Sequence, residues 1–253
     1  VISKLVFMEP NQTDFELESQ IELEADSLIP YPLSEVYLDF EELRMSESHD
    51  GKVEVLLSAA HKDLVDSRMT LLRENLFEPK IIDIESNALG EAFIQYMHDI
   101  IEEDEVICCV NVGASLLQLT VVQNRQVIYA KEHAFGLNKL NHDLSLIYGV
   151  DVQEVEQQIY NNTAPENWFT ETMPSFYASL QQQIQRAIQM YTSTTHKPSP
   201  SKIYLTGGVT NLPNACEELD KELSVPVSLF NPFSGMEIGD KIDAEKLLSI
   251  APQ

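Results

Sequence analysis

The sequence predicts an α/β domain preceded by a small α+β subdomain, on three observations. Val106–Ala134 reads strand, small-residue bend, strand, polar turn, strand. Ser201–Leu223 reads strand, Gly-Gly turn, helix, and a long amphipathic helix lies between the two stretches. Ahead of them, Val1–Ile84 runs in the order β-α-β-β-α-β, the split-βαβ arrangement. The expected organisation is a subdomain over 1–84, a helix and linker over 85–105, and a second lobe over 106–253.

Val1–Met8 alternates as a strand. Asp14–Leu28 is a helix, with Leu17, Ile21, Ala25 and Leu28 on one face and glutamates on the other. Asp14 or Thr13 caps it, and Pro30 and Pro32 end it. Val36–Leu43 and Val53–Ala60 are strands around the turn segment Ser46–Gly51. Leu64–Leu76 is a second helix and Lys80–Ile84 a closing strand. Ser86–Ile101 is amphipathic through Leu89, Ala92, Phe93, Tyr96, Met97 and Ile100, and the acidic link Glu102–Glu105 follows.

Val106–Val112 is almost wholly apolar, as a strand buried on both faces is. Gly113 and Ala114 leave no bulk at the next bend, so backbone N–H groups can approach a ligand closely. Glycine at a hairpin bend is also ordinary turn punctuation, and Ser115 reads equally as a phosphate-contacting hydroxyl or a turn serine. Leu116–Val122 and Val127–Ala130 complete the hairpin. After Gly136, Asn138–Tyr148 and Val152–Tyr160 read as helices, and Asn161–Trp168 as a polar loop. Thr172–Tyr191 is the longest helix, with a Gln-rich face expected to be solvated. Lys202–Thr206 is a strand, Asn214–Leu223 a helix and Val225–Phe230 a strand. A strand, Gly207-Gly208 and a helix can bring backbone against an adenosine or phosphate.

Charge narrows the function classes. Sixteen basic and 41 acidic residues give a formal charge of −25, which excludes a broad basic face for nucleic acid and direct attraction to an anionic membrane. Cys108, Cys109 and Cys216 make no disulfide framework, and neighbours on a strand point to opposite faces, so a reducing cytosol fits. His49, His61, His98, His133, His142 and His196 show no metal-ligand spacing. No nucleophile motif is present, so no catalytic residue and no metal ligand is assigned.

Several stretches together resemble the PilM family of type IV pilus assembly proteins, whose fold is related to that of the cell-division protein FtsA. They are Ile29–Val36 (IPYPLSEV) with Leu38-Asp39-Phe40, Ile84–Leu89 (IESNAL), Val110–Ser115 (VNVGAS), Leu205–Pro213 (LTGGVTNLP), Asn231-Pro232-Phe233 and Lys241–Pro252. The resemblance covers essentially the whole chain. It implies an actin-like, ribonuclease H-like fold in which Val1–Ile84 is the inserted subdomain. The first phosphate loop with its lysine is then expected before Val1, and the closing helix of the first lobe after Gln253.

By the same resemblance, Asn111, Gly113, Ala114, Ser115, Gly136, Gly207, Gly208 and Val209 are the nucleotide-binding positions, and ATP with Mg²⁺ the cofactors of the complete protein. Asn111 stands where the family carries Asp. A neutral amide is a weaker metal ligand than a carboxylate, so hydrolysis is not expected. The implied partners are the cytoplasmic N-terminal peptide of the inner-membrane protein PilN and other inner-membrane and motor components of the pilus machine. Nucleic acid is not among them, and membrane is reached only through partners, which places the protein at the cytoplasmic side. Leu28, Ile29, Tyr31 and Val36 are the candidate peptide surface. The same residues read alternatively as filling a helix-to-strand corner. A cell-division protein like FtsA and an ATPase of the actin superfamily remain as rival readings.

Overall fold

Thr13, not Asp14, starts the first helix. Its hydroxyl accepts from the Glu16 N–H while the Glu16 carboxylate accepts from the Thr13 N–H at 3.0 Å, a reciprocal cap that holds the Glu16 carboxyl below its ordinary pKa. The helix it opens, α1 (Asp14–Leu28), packs Leu17, Ile21 and Ala25 onto a three-stranded sheet. That sheet has the order β1 (Ile2–Met8), β3 (Val53–His61), β2 (Val36–Met45), all antiparallel. The period-2 alternation puts Val6, Met8, Val53, Val55, Leu57, Ala59 and Val36 on the α1 face. Helix α2 (Lys62–Glu74) follows β3 directly. The computed structural model describes residues 1–46, 49–97, 102–233, 236–243, 246–247 and 251–252. They divide into two units, Val1–Ile84 and Glu85–Gln253.

The strand expected over Lys80–Ile84 does not form. Ile81 is 87% exposed, and the Asp83 side chain, not a neighbouring strand, accepts from the Ile84 N–H at 2.7 Å. The first unit is therefore β-α-β-β-α.

The second unit is built on a five-stranded mixed sheet of order β6-β5-β4-β7-β8. Its strands are β4 (Val106–Val112), β5 (Leu117–Gln123), β6 (Gln126–His133), β7 (Lys202–Thr206) and β8 (Val227–Leu229). β4, β5 and β6 form the expected antiparallel hairpins, while β7 runs parallel to both β4 and β8. Alternation splits the core in two. Cys108, Val110, Leu119, Val121, Ile203 and Leu205 face α4 (Leu137–Tyr148), α5 (Val152–Tyr160), α6 (Met173–Thr195) and α7 (Ala215–Glu222). Ile107, Cys109, Val122 and Tyr204 face α3 (Glu85–Met97), whose Phe93 and Met97 are buried there. Residues 98–101, the expected end of α3, lie outside the described residues.

Two further expectations are corrected. Trp168 is not part of a polar loop: it is 2% exposed, begins a π turn over Trp168–Thr172, and stacks on Tyr148 at 5.7 Å between centroids. Burying the largest apolar side chain outweighs the polarity of its neighbours. The Gln-rich face of α6 is also not wholly solvated. Gln181 donates to the Glu218 carbonyl at 2.7 Å and so ties α6 to α7.

Candidate functional site

Parallel pairing brings the ends of β4 and β7 to one edge of the sheet, with Asn111 beside Thr206. The three glycine turns meet there. Gly207 has φ +86° and ψ −176°, a conformation only glycine adopts readily, and a Cβ on it would collide with the Asn111 Oδ1 and the Val112 carbonyl. Gly136 has no room for a Cβ because the Ala114 carbonyl lies against it. That approach lets the first N–H groups of α4 find acceptors in the hairpin bend: Leu137 donates to the Gly113 carbonyl at 3.0 Å and Asn138 to the Ala114 carbonyl at 2.8 Å. Gly113 closes the bend by donating to the Leu116 carbonyl at 2.9 Å. The Gly207 N–H and the Thr206 hydroxyl both donate to the Pro252 carbonyl at 2.7 Å.

The structure thus gathers Asn111, Gly113, Ala114, Ser115, Gly136, Gly207 and Gly208. Val209 follows directly, with its side chain fully buried in the helix-side core, so that only its backbone is left for a ligand.

A row of polar side chains, unforeseen from sequence, crosses the sheet at this edge. Glu132, Gln118, Asn111 and Thr206 sit in register on four adjacent strands, β6, β5, β4 and β7. Asn111 Nδ2 donates to Gln118 Oε1 at 2.9 Å, and Gln118 Nε2 donates to Glu132 Oε1 at 3.2 Å. The chain of bonds fixes the amide of Asn111 with its oxygen toward Gly207. The signal that could have revealed the row is Gln118 itself, a long polar side chain 2% exposed between the buried Leu117 and Leu119.

The donor set fits a phosphate group in part. Among the described residues, the N–H groups of Ala114 and Ser115 have no protein acceptor, and Ser115 is exposed. It does not fit direct Mg²⁺ coordination. Asn111 is neutral, Glu132, the one carboxylate of the row, stands two strands away on β6, and no group of three His, Cys, Asp or Glu side chains suited to a metal occurs among the described residues.

In the first unit, the four expected peptide-binding residues separate. Ile29 and Val36 are core residues, each 5% exposed, and Leu28 packs against the same core. Tyr31 is half exposed and meets the His61 ring edge-on at 5.8 Å. His61 lies 3.6 Å from Glu35 and 3.9 Å from Asp63. Next to it, Lys62 sits over the Tyr37 ring, and the Tyr37 hydroxyl donates to Asp66 at 3.0 Å, which holds its phenol above the ordinary pKa. Tyr31, Tyr37, Glu35, Asp63 and Asp66 therefore form an aromatic and acidic surface. Only β2–β3 pairing shows this, because it places Val36 opposite His61.

Burial keeps the three cysteines as protonated thiols. Burial raises the thiols of Cys108 and Cys109, and burial with Glu217 and Asp220 pushes Cys216 up to about 11. His133, the last residue of β6, has a buried Nε2 without a partner, and burial together with Lys131 lowers its pKa from 6.5. The native state therefore favours neutral imidazole. The stability this contributes is full above about pH 6.5 and is lost as pH falls through the lowered native value. Urea unfolding at pH 7.5 and pH 5.5 should show a smaller loss of midpoint on acidification in His133→Gln than in the wild type. Equal losses would remove His133 from the account.

The family described as "Type IV pilus assembly protein PilM" matches over residues 1–253. Among solved structures, a PilM-PilN type IV pilus biogenesis complex superposes with a TM-score of 0.82 at 22% identity, over 99% of this chain and 72% of that one. The ethanolamine utilization protein EutJ from Carboxydothermus hydrogenoformans matches at 15% identity with a TM-score of 0.46, over 95% of this chain and 98% of that one. MreB5 of Spiroplasma citri bound to ADP matches at 10% identity with a TM-score of 0.46, over 68% of this chain and 62% of that one.

Proposed function

Because the chain belongs to the PilM family of type IV pilus assembly proteins, we propose that it is a scaffold of the pilus machine that binds the cytoplasmic N-terminal peptide of a PilN partner. Its fold is the actin-like α/β fold of that family, with an α+β subdomain. The observation that carries the proposal is the family match along the full 253 residues, seconded by the superposition on a PilM held in complex with PilN. No described helix is long and apolar enough to cross a membrane, and the acidic chain would repel anionic lipid. In this reading it works at the cytoplasmic face of the inner membrane, held there by its partners.

The peptide surface we favour is the one around Tyr31 and Tyr37. The half-exposed ring of Tyr31 gives an apolar anchor, and Glu35 and Asp63 suit a basic residue of the peptide. Fluorescence anisotropy with a labelled PilN tail peptide tests this. Tyr31→Ala should weaken binding by about tenfold or more, the loss expected of an aromatic anchor. Asn111→Ala should leave it unchanged, since Asn111 belongs to the other unit. Normal binding by Tyr31→Ala with reduced stability would return Tyr31 to a corner-filling role.

Nucleotide, on this reading, is a ligand and not a substrate. The free amides of Ala114 and Ser115 and the glycine turns at 136 and 207–208 support a phosphate-bearing ligand such as ATP. In the row from Glu132 to Thr206 the one carboxylate stands on β6, two strands from Asn111, so it is given no general-base role.

A further inference from the structure

One helix face in the first unit serves neither reading. α1 turns Leu17, Ile21 and Ala25 inward, while Phe15 and Leu23 point out, 76% and 79% exposed. Eight residues apart, they lie two turns along the same side, with Ser19 between them, beside a shallow groove that Asn11, Gln12 and Gln20 complete. The steps of the helix put Glu18 and Glu22 along one flank of this stripe and Glu16 along the other, while Glu24 turns toward the opposite side of the helix. The whole helix, DFELESQIELEADSL, contains no Lys or Arg. Glu18, Glu22, Glu24 and Asp26 make no ion pair among the described residues.

We propose that this face docks a basic amphipathic helix of a partner protein. Its apolar stripe would lie along Phe15, Ser19 and Leu23, with Lys or Arg on both sides against the glutamates. Charge decides the occupant. A second copy would set glutamate against glutamate in either direction, and an anionic lipid surface or a nucleic acid would be repelled. Single exposed apolar residues are ordinary on a surface. Two large ones aligned on a helix and framed on both sides by one sign of charge form a seam with a defined complement.

A synthetic 18-residue helix with leucines in a heptad stripe and lysines on both flanks is the probe, titrated by anisotropy into the full chain. A peptide with glutamates at the flanking positions is the control. The lysine peptide should bind and weaken with added salt, and the glutamate peptide should not bind. Phe15→Ser/Leu23→Ser should weaken binding about tenfold or more. Both positions point outward, so circular dichroism and the unfolding midpoint should be unchanged. Glu18→Lys/Glu22→Lys, which keeps the apolar pair, should lose affinity as well. Absence of binding at saturating peptide, equal binding by the Phe15→Ser/Leu23→Ser protein, or binding of the glutamate peptide would overturn the proposal. So would self-association by the wild type that disappears in that variant, because it would assign the face to a second copy.

Discussion

Phe93→Ala is expected to destabilise the second unit by about 3–5 kcal/mol, the usual range for removing a buried aromatic side chain. Phe93 is completely buried and meets two rings edge-on, Tyr204 at 5.4 Å and Phe230 at 5.2 Å between centroids. It is the main apolar anchor between α3 and the sheet face that carries Ile107, Cys109 and Val122. Truncation removes its transfer energy and leaves a cavity whose walls belong to a sheet, which cannot collapse to fill it. Urea unfolding followed through tyrosine near-ultraviolet signals measures the loss. A change below about 1 kcal/mol would mean that α3 is not seated on the sheet as described.

Gly207→Ala should be nearly as severe, at about 2–4 kcal/mol, from backbone strain and overpacking together. At φ +86° and ψ −176° an L side chain is strained whatever space surrounds it, and here the added methyl meets the Asn111 amide and the Val112 carbonyl. The two contributions separate in a double variant. Asn111→Ala in the Gly207→Ala background should recover part of the stability by relieving the side-chain collision, while the strain and the clash with Val112 remain. Strict additivity of the two substitutions would show that Asn111 and Gly207 are not in contact.

What the sequence revealed followed from periodicity. The almost unbroken apolar run of Val106–Val112, the apolar stripe of α1 and the full extent of β7 were legible because burial on both faces of a sheet or on one face of a helix leaves a regular mark. What it hid depends on partners far along the chain. Lys80–Ile84 has strand composition, but it pairs with no strand of the first sheet, and the Asp83 side chain takes the Ile84 N–H. Trp168 sits among polar residues and is nevertheless core, because Tyr148, twenty residues earlier, supplies the stacking face. The glycine turns of the candidate nucleotide site were visible as small residues at strand ends. The row Glu132–Gln118–Asn111–Thr206 was not, because it exists only through the register of four strands. Likewise Tyr31 was visible from its motif, whereas its neighbours Glu35, His61 and Asp63 are assembled by β2–β3 pairing.

The central claim is that the first unit of this PilM-family chain receives a PilN tail. Hydrogen–deuterium exchange of the full chain with and without the PilN cytoplasmic peptide tests it directly, since backbone protection reports where the peptide lies. The account predicts new protection over Leu28–Val36 and at the β3–α2 junction around His61, with β4 and the Gly207 turn unchanged. Protection confined to the second unit, or none at saturating peptide, would contradict it.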